Sequence, residues 1–514
     1  MSSLFAAEPP LAHAGAPLFF LGMALLIIGY YTYGRLVERI LAPDQRKTPG
    51  LLVNDGVDFV ILPHWKNMLI QLLNIAGVGP VIGVILGIKF GPIVFLAIPL
   101  GNVFGGAVHD FVGGMMSLRN NGANLPELIK RTLGRTYYAI FSLFMMFLLL
   151  LVVAVFINVP AKLLDGFMPE LPLFWVFVGA IFLYYIVATL FPIDTIIGKI
   201  YPLFGLMLLF GTGAILASML WFGVKSPADF LVETEAFHAN ILDQPVIPCL
   251  FVTIACGIMS GFHATQSPIV ARTMQTERQA RSTFYGMMIL EGVIAMVWAA
   301  AGFAIYNLFP NEMQTDATTV LRQITDHFLG KQVGAATIIA VVILAITSGD
   351  TAMRSLRLTL AEMLHLPQKP IQNRLALCCP IILIVAVLLW WSNQGPKAFA
   401  ALWNYFAWGN QVLAASTLAA ATAWLLRRRK CPWITLLPGA FMTFVVVSYI
   451  LWTSKAHGGP TGLGLELNLA YFIALLATIL LFCVVWYRGK TGDAIEEEIP
   501  DQAQTPSDDQ KNAS

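Results

Sequence analysis

The chain has 514 residues, of which 57% are hydrophobic and only 12% charged, with a formal net charge of +2 and a mean hydropathy of +0.73. Soluble domains carry about 25% charged residues, so half of the usual solvating surface is missing and a large soluble enzyme is excluded.

Apolar residues come in runs of about 20, the length that crosses a hydrocarbon core of about 30 Å. In chain order, residues 1–16 read as a periplasmic N-terminus and 17–40 as an extra N-terminal transmembrane helix. No basic stretch precedes that helix and Arg35 and Arg39 follow it, which marks an anchor rather than a cleaved signal. Residues 68–222 hold five spans, at 68–87, 90–117, 137–159, 172–191 and 199–222. An acidic extracytoplasmic loop follows at 223–245, with Glu233, Glu235 and Asp243. Residues 246–426 hold five more spans, at 246–271, 283–309, 333–361, 375–392 and 399–426. Two additional spans, 433–453 and 468–487, fill 433–487, and 488–514 reads as a disordered acidic cytoplasmic tail. The predicted fold is an all-α polytopic membrane protein of about thirteen transmembrane helices.

The basic residues set its orientation. Of 31 Lys and Arg, 24 fall in alternate loops, including Arg35 to Lys66, Arg119 to Arg135 and Arg427 to Lys430. The intervening loops hold only Lys89, Lys162, Lys225, Arg322, Lys331, Lys397 and Lys455. Basic loops face the cytoplasm, so the expected topology is N-terminus outside and C-terminus inside. The six cysteines show neither extracellular pairing nor zinc-ligand spacing and read as reduced apolar packing.

Two spans carry helix-breaking sequence at matching positions. The first span of the 68–222 set reads Asn74-Ile75-Ala76-Gly77-Val78-Gly79-Pro80, and the first span of the 246–426 set reads Cys256-Gly257-Ile258-Met259-Ser260-Gly261-Phe262-His263-Ala264-Thr265-Gln266-Ser267-Pro268. Proline removes an amide donor and clashes with the preceding turn, and unpaired backbone at membrane depth is tolerated only beside a cavity or inside protein. Five is odd, so the second set enters the membrane from the opposite side. Paired breaks in inverted halves mark a transporter's binding site, although Gly and Pro also serve tight helix packing. Gly77, Gly79, Ser260, Gly261, His263 and Gln266, with Trp408 and Asn410 of the eleventh span, are the predicted substrate-binding residues.

Ionisable residues at membrane depth are costly and usually functional. Asp110, Glu291, Thr347, Ser348 and Asp350 are the predicted ion-coupling residues. Asp350 and Arg354 are four apart, so an ion pair along the helix is an alternative use. His109 and Asp110 are adjacent and are expected to diverge. The hydroxyls of Thr347, Ser348 and Thr351 suit a hard cation beside the freed carbonyls of 76–79, or bond back to their own helix. The coupling ion is H+ or Na+, with no cofactor, no metal site and no catalytic residue expected. A small-molecule substrate and the lipid bilayer are the expected partners, with no nucleic acid and with oligomeric state open. A channel also tolerates broken helices. A membrane redox subunit needs paired intramembrane histidines, and only His109 and His263 lie within spans.

The motifs resemble those of the carbon starvation protein A family of peptide and pyruvate transporters. Asn54-Asp55-Gly56-Val57-Asp58-Phe59 looks like its first loop, and Ile75 to Pro80 like its first broken helix. Gly106-Ala107-Val108-His109-Asp110-Phe111 with Ser117, Arg119 and Gly122 is similar to its next helix. The longest matches are Ser260 to Pro268 with Ala271-Arg272, Phe284-Tyr285-Gly286-Met287-Met288 with Glu291-Gly292, Thr347 to Arg354, and Tyr405 to Gln411. The chain departs from the pattern at Ile70 and Gln71, where many members have a histidine pair, and at Asn124, where a serine is common. The resemblance implies a bacterial inner-membrane carrier with a LeuT-like core of five plus five inverted helices. It further implies import of peptides or a related small carboxylate during carbon starvation, or proton-coupled pyruvate symport.

Overall fold

The computed structural model describes residues 15–54, 59–190, 197–225, 231, 244–308, 317–364, 366–367, 370–454 and 462–492. Among these residues there is helix and no strand. The helices are α1 (Gly15–Leu41), α2 (His64–Ile75 and Gly79–Phe90), α3 (Val94–Leu118), α4 (Arg135–Asp165), α5 (Phe174–Leu190) and α6 (Ile197–Lys225). Then come α7 (Val246–Thr253 and Ala255–Ala271), α8 (Glu277–Tyr306), α9 (Ala317–Met363), α10 (Ile371–Ser392), α11 (Pro396–Arg427), α12 (Trp433–Trp452) and α13 (Leu467–Thr491).

Among the described residues, nine helices are long and apolar enough to cross a membrane, or eleven when each of the two bent pairs is one span. The thirteen spans expected are therefore not all matched: α5 has only 17 residues, and α11 carries Asn404, Asn410 and Gln411 in its interior. Several boundaries differ from expectation. Residues 317–329, read as loop, are helical because Ala317, Val320, Leu321 and Ile324 form one buried face. That helix turns into the span at Gly330, whose φ of 73° suits glycine. The last helix continues to Thr491, so the tail expected from 488 begins later. Residues 1–14 and 493–514 and the acids Glu233, Glu235 and Asp243 lie outside the described residues.

Packing partners follow an internal symmetry. If α2–α6 superpose in order on α7–α11, each contact in one half implies one in the other. The pairs found are α3 with α7 and α8 with α2, α6 with α9 and α11 with α4, and α6 with α8 and α11 with α3. The pair α5–α4 likewise matches α10–α9, while α4–α9 and α2–α7 map onto themselves. The two broken helices therefore pack against each other, and α4 packs against α9.

One end of the bundle is tied by charges from three separate segments. Glu277, the first residue of α8, accepts from Arg119 Nη2 at 2.9 Å and from Arg119 Nε at 3.1 Å. It also accepts from the Asp44 amide at 3.2 Å, and Arg46 Nε lies 3.5 Å away. Arg46 in turn chelates Asp44 at 2.6 Å, which holds the Asp44 carboxyl down at about 2. Asn124, the departure noted above, accepts from Arg272 Nη2 at 2.8 Å, so the amide oxygen anchors the loop after α7 to the turn after α3. Here the linker after α1, the end of α3 and the start of α8 are clamped together.

Candidate substrate and ion-coupling site

The bend in α7 is stabilised from α11. Met259 adopts extended backbone, which releases the amides that follow. The Gly261 amide donates to the Asn410 carbonyl at 3.2 Å and the Phe262 amide to Asn410 Oδ1 at 2.7 Å. Asn410 Nδ2 donates to Ser260 Oγ at 2.9 Å. A side chain at 261 has no room, since a Cβ there stands 2.3 Å from the Asn410 carbonyl oxygen and from Leu413 Cβ. Asn410 therefore supplies the partners that the non-helical residues 260–262 lack, and α7 is bent by a further 76° at Ile254, between Val246–Thr253 and Ala255–Ala271.

The break in α2 is milder, 49°, and meets α7 directly. A Cβ at Gly79 is 2.1 Å from Cys256 Cβ, so glycine is what allows the contact. Ser348 Oγ on α9 donates to the Asn74 carbonyl at 3.4 Å. Between the breaks lies a cavity of about 10 Å³ lined by Gly77, Gly79, Ser260, His263, Ser348 and Asn410, with Asn74, Phe156, Phe262 and Phe406. That volume is about one water, so this conformation is occluded.

Above the small cavity the rings of Phe156, Phe262 and Phe406 form a layer, with centroids 6.1 and 6.0 Å apart. Trp403 stacks edge-on against Phe406 at 5.6 Å. On the other side of the layer is a vestibule of about 780 Å³ opening at the end opposite the charge clamp. Its walls include Lys89, Lys162, Asp165, Asn393, Trp403 and Asn404. The Lys162 ammonium lies 3.6 Å from the Phe399 ring centroid.

Behind the α7 break the ionisable residues gather. His109 Nδ1 is 2.8 Å from Asp110 Oδ1, His263 Nδ1 is 3.1 Å from Asp110 Oδ2, and His263 Nε2 is 3.9 Å from Glu291 Oε2. All four residues are at most 1% exposed. His109 and Asp110 were expected to diverge as helix neighbours. The short Asp110 side chain instead sits between two imidazoles, one beside it on α3 and one on α7. His109 and the phenylalanine layer were missed because adjacency in sequence hid the first and ordinary apolar composition hid the second.

The other predicted residues are elsewhere. Trp408 donates its indole hydrogen to the Val446 carbonyl at 2.9 Å and packs on Phe144, so it braces α11 against α12 and α4. Gln266 is buried, its Oε1 has no hydrogen-bond partner among the described residues, and it does not line the small cavity. Thr347 and Thr351 bond back to the carbonyls of Leu344 and Thr347. Arg354 donates to the Ala188 carbonyl at 3.1 Å, and the Asp350 oxygens have no hydrogen-bond partner among the described residues. No three His, Cys, Asp or Glu side chains among those residues are arranged to hold a metal ion.

The fold is shared with secondary transporters. A manganese transporter from Eremococcus coleocola superposes with a TM-score of 0.56 at 14% identity over 85% of this chain and 99% of that one. A Na+-coupled sialic acid symporter gives 0.51 at 13% identity over 93% and 98%. In sequence, an uncharacterized membrane protein of Haemophilus influenzae is 40% identical, covering 56% of this chain and 91% of its own. The peptide transporter CstA of Campylobacter jejuni is 25% identical over 82% and 77%. The pyruvate/proton symporter BtsT of Escherichia coli is 26% identical over 55% and 48%. The sequence profile of carbon starvation protein CstA matches residues 14–222, 173–328 and 311–449, and with the paired breaks and their polar lining this shows that the chain belongs to the CstA family.

Proposed function

We propose that the chain is a secondary active transporter that takes up peptides, with the substrate bound between the breaks at 75–80 and 257–267. The observation that carries this reading is the small cavity, where both broken helices, α9 and α11 converge on polar groups beneath an aromatic layer. Gly77, Gly79, Ser260, His263 and Asn410 form the binding surface. The second halves of α2 and α7 begin there, and helix N-termini favour a carboxylate. A peptide and a 2-oxo acid such as pyruvate both carry one. The vestibule of about 780 Å³ has room for a peptide, and the peptide transporter CstA of Campylobacter jejuni is similar over most of this chain. Pyruvate remains the second reading because the pyruvate/proton symporter BtsT is similar over about half.

The clamped end, rich in Lys and Arg, is cytoplasmic by the charge rule. The vestibule then faces outward in a bacterial inner membrane, with the N-terminus outside and the C-terminus inside. Transport requires the phenylalanine layer to part, substrate to enter, and the clamp around Glu277 to open afterwards. All thirteen helices span the membrane in this reading, α5 and α11 included.

Equilibrium counterflow of labelled dipeptide and labelled pyruvate into proteoliposomes tests it. Saturable dipeptide exchange, weakened at least tenfold by Ser260→Ala with Asn410→Ala, is expected. Exchange of neither solute, or a single-channel current, overturns it.

A further inference from the structure

We propose that His109, Asp110, His263 and Glu291 form the proton site that couples transport, with the proton held between His263 Nε2 and Glu291 Oε2. The proposal rests on the transport reading above and adds the ion and the atoms that carry it.

Hydrogen-bond chemistry fixes the protons one by one. An ionised carboxylate only accepts. Asp110 has an imidazole Nδ1 on each oxygen, at 2.8 Å from His109 and 3.1 Å from His263, so both of those nitrogens carry their hydrogen. A neutral imidazole has one N–H, which leaves His263 Nε2 bare. That bare nitrogen faces Glu291 Oε2 at 3.9 Å, and neither Glu291 oxygen has a hydrogen-bond partner among the described residues. A lone pair therefore faces a carboxylate in a site shielded from bulk solvent, an arrangement that one added proton turns from repulsive to attractive.

The surroundings supply no other counter-charge. Among the described residues no Lys or Arg pairs with Asp110 or Glu291, whose ion-pair partners are His109 and His263. The groups facing His263 are Asp110 from α3 and Glu291 from α8, with His109 behind Asp110. The Cys256 thiol, on α7 before its break, lies close enough to Glu291 to interact electrostatically. Asn102 sits against Gly292 but spends its amide on the carbonyls of Gly257 and Met288. With neutral imidazoles the cluster carries two negative charges, and one proton halves that charge.

The site also has a mechanical link to substrate. A nitrogen–oxygen hydrogen bond closes at about 2.7–3.2 Å, so the gap of 3.9 Å must shrink by roughly 1 Å as the proton arrives. His263 is the first residue of the helical segment His263–Ala271, which follows the non-helical residues 259–262, and it lines the small cavity as well. Proton arrival thus pulls the wall of the substrate site toward α8, and proton loss releases it. One proton enters from the vestibule side and one leaves at the clamped end per cycle. Asp350 is the competing acid, buried on α9 and without a hydrogen-bond partner among the described residues, none of whose imidazoles pairs with it.

Infrared difference spectra of the reconstituted full chain, recorded across a pH step, test this. The wild type is expected to show the carbonyl stretch of a protonated carboxylic acid that titrates. Labelling glutamate with carbon-13 should shift the band, and Glu291→Gln should remove it, while Asp350→Asn should leave it. A band that shifts with labelled aspartate instead, or disappears only in Asp350→Asn, overturns the proposal. In vesicles, the ratio of pH-gradient-driven accumulation to counterflow should fall at least tenfold in Glu291→Gln, and an unchanged ratio also overturns it. If the wild type exchanges neither peptide nor pyruvate, the substrate reading fails, while the infrared titration still reads the proton site.

Discussion

Where α2 and α7 touch, the account predicts a specific coupling between two residues. A Cβ on Gly79 stands 2.1 Å from Cys256 Cβ and 2.5 Å from its Sγ, against 3.4–4 Å for ordinary contact. Gly79→Ala therefore pushes the two broken helices apart by more than an ångström, or displaces Cys256 from its place beside Ser260 and Asn410. Overpacking of this kind costs about 1–3 kcal/mol. Cys256→Gly alone costs about 1 kcal/mol through the glycine placed in a helix, plus the lost packing of a small side chain. The double variant removes the clash, so its destabilisation should fall short of the sum by at least about 1 kcal/mol, well beyond the 0.3–0.5 kcal/mol within which independent sites add. Equilibrium unfolding in mixed ionic and neutral detergent micelles measures all four corners of the cycle. Additive values would show that the helices do not meet at these residues and would refute the placement of the cavity between them.

Asn410→Leu leaves the Phe262 amide and the Ser260 hydroxyl buried without their partner, at about 1–3 kcal/mol each; the same unfolding assay should show a loss of about 2–6 kcal/mol. Glu277→Gln breaks a pair in which both side chains are nearly fully buried, with a cost of about 3–5 kcal/mol, and should raise maleimide labelling of a cysteine introduced at Ser117. Asp44 is held at about 2 by Arg46, below the ordinary carboxylate value of about 3.9. Its contribution to the clamp is therefore complete above about pH 4 and lost as pH falls through about 2. Thermal midpoints of the wild type and Asp44→Asn should differ at pH 5 and converge toward pH 2.

The breaks were legible because Gly77, Gly79, Pro80, Gly257 and Gly261 are expensive in a membrane helix unless the geometry needs them. Their matching position in two sets of five helices points to the inverted repeat, and many helix contacts of the structure pair up between the two sets. What the breaks rest against was less legible. Asn410 lies about 150 residues from the backbone it satisfies, and nothing local distinguishes it from a ligand-binding amide. Trp408 reads as a site aromatic until its indole is seen to bond Val446 on a neighbouring helix. The hydroxyls of Thr347 and Thr351 suit a cation in composition, yet their own helix uses them first.

The ionisable cluster shows the same limit. Asp110, His263 and Glu291 were each identifiable as costly residues at membrane depth, but they lie on three helices and only tertiary packing joins them. Neighbours on a helix point apart, so the sequence alone separates His109 from Asp110; Asp110 is short enough to be reached from both sides. Residues 317–329 were read as loop because Thr, Arg, Gln, Asp and His dilute their hydropathy, although every third or fourth residue is apolar.

Accumulation of a labelled dipeptide in proteoliposomes, with an inward pH gradient and then an inward sodium gradient imposed separately, tests the central claim most directly. The account predicts internal peptide rising above the external concentration under the pH gradient alone and collapsing when a protonophore is added. Equilibration without accumulation under either gradient would contradict it.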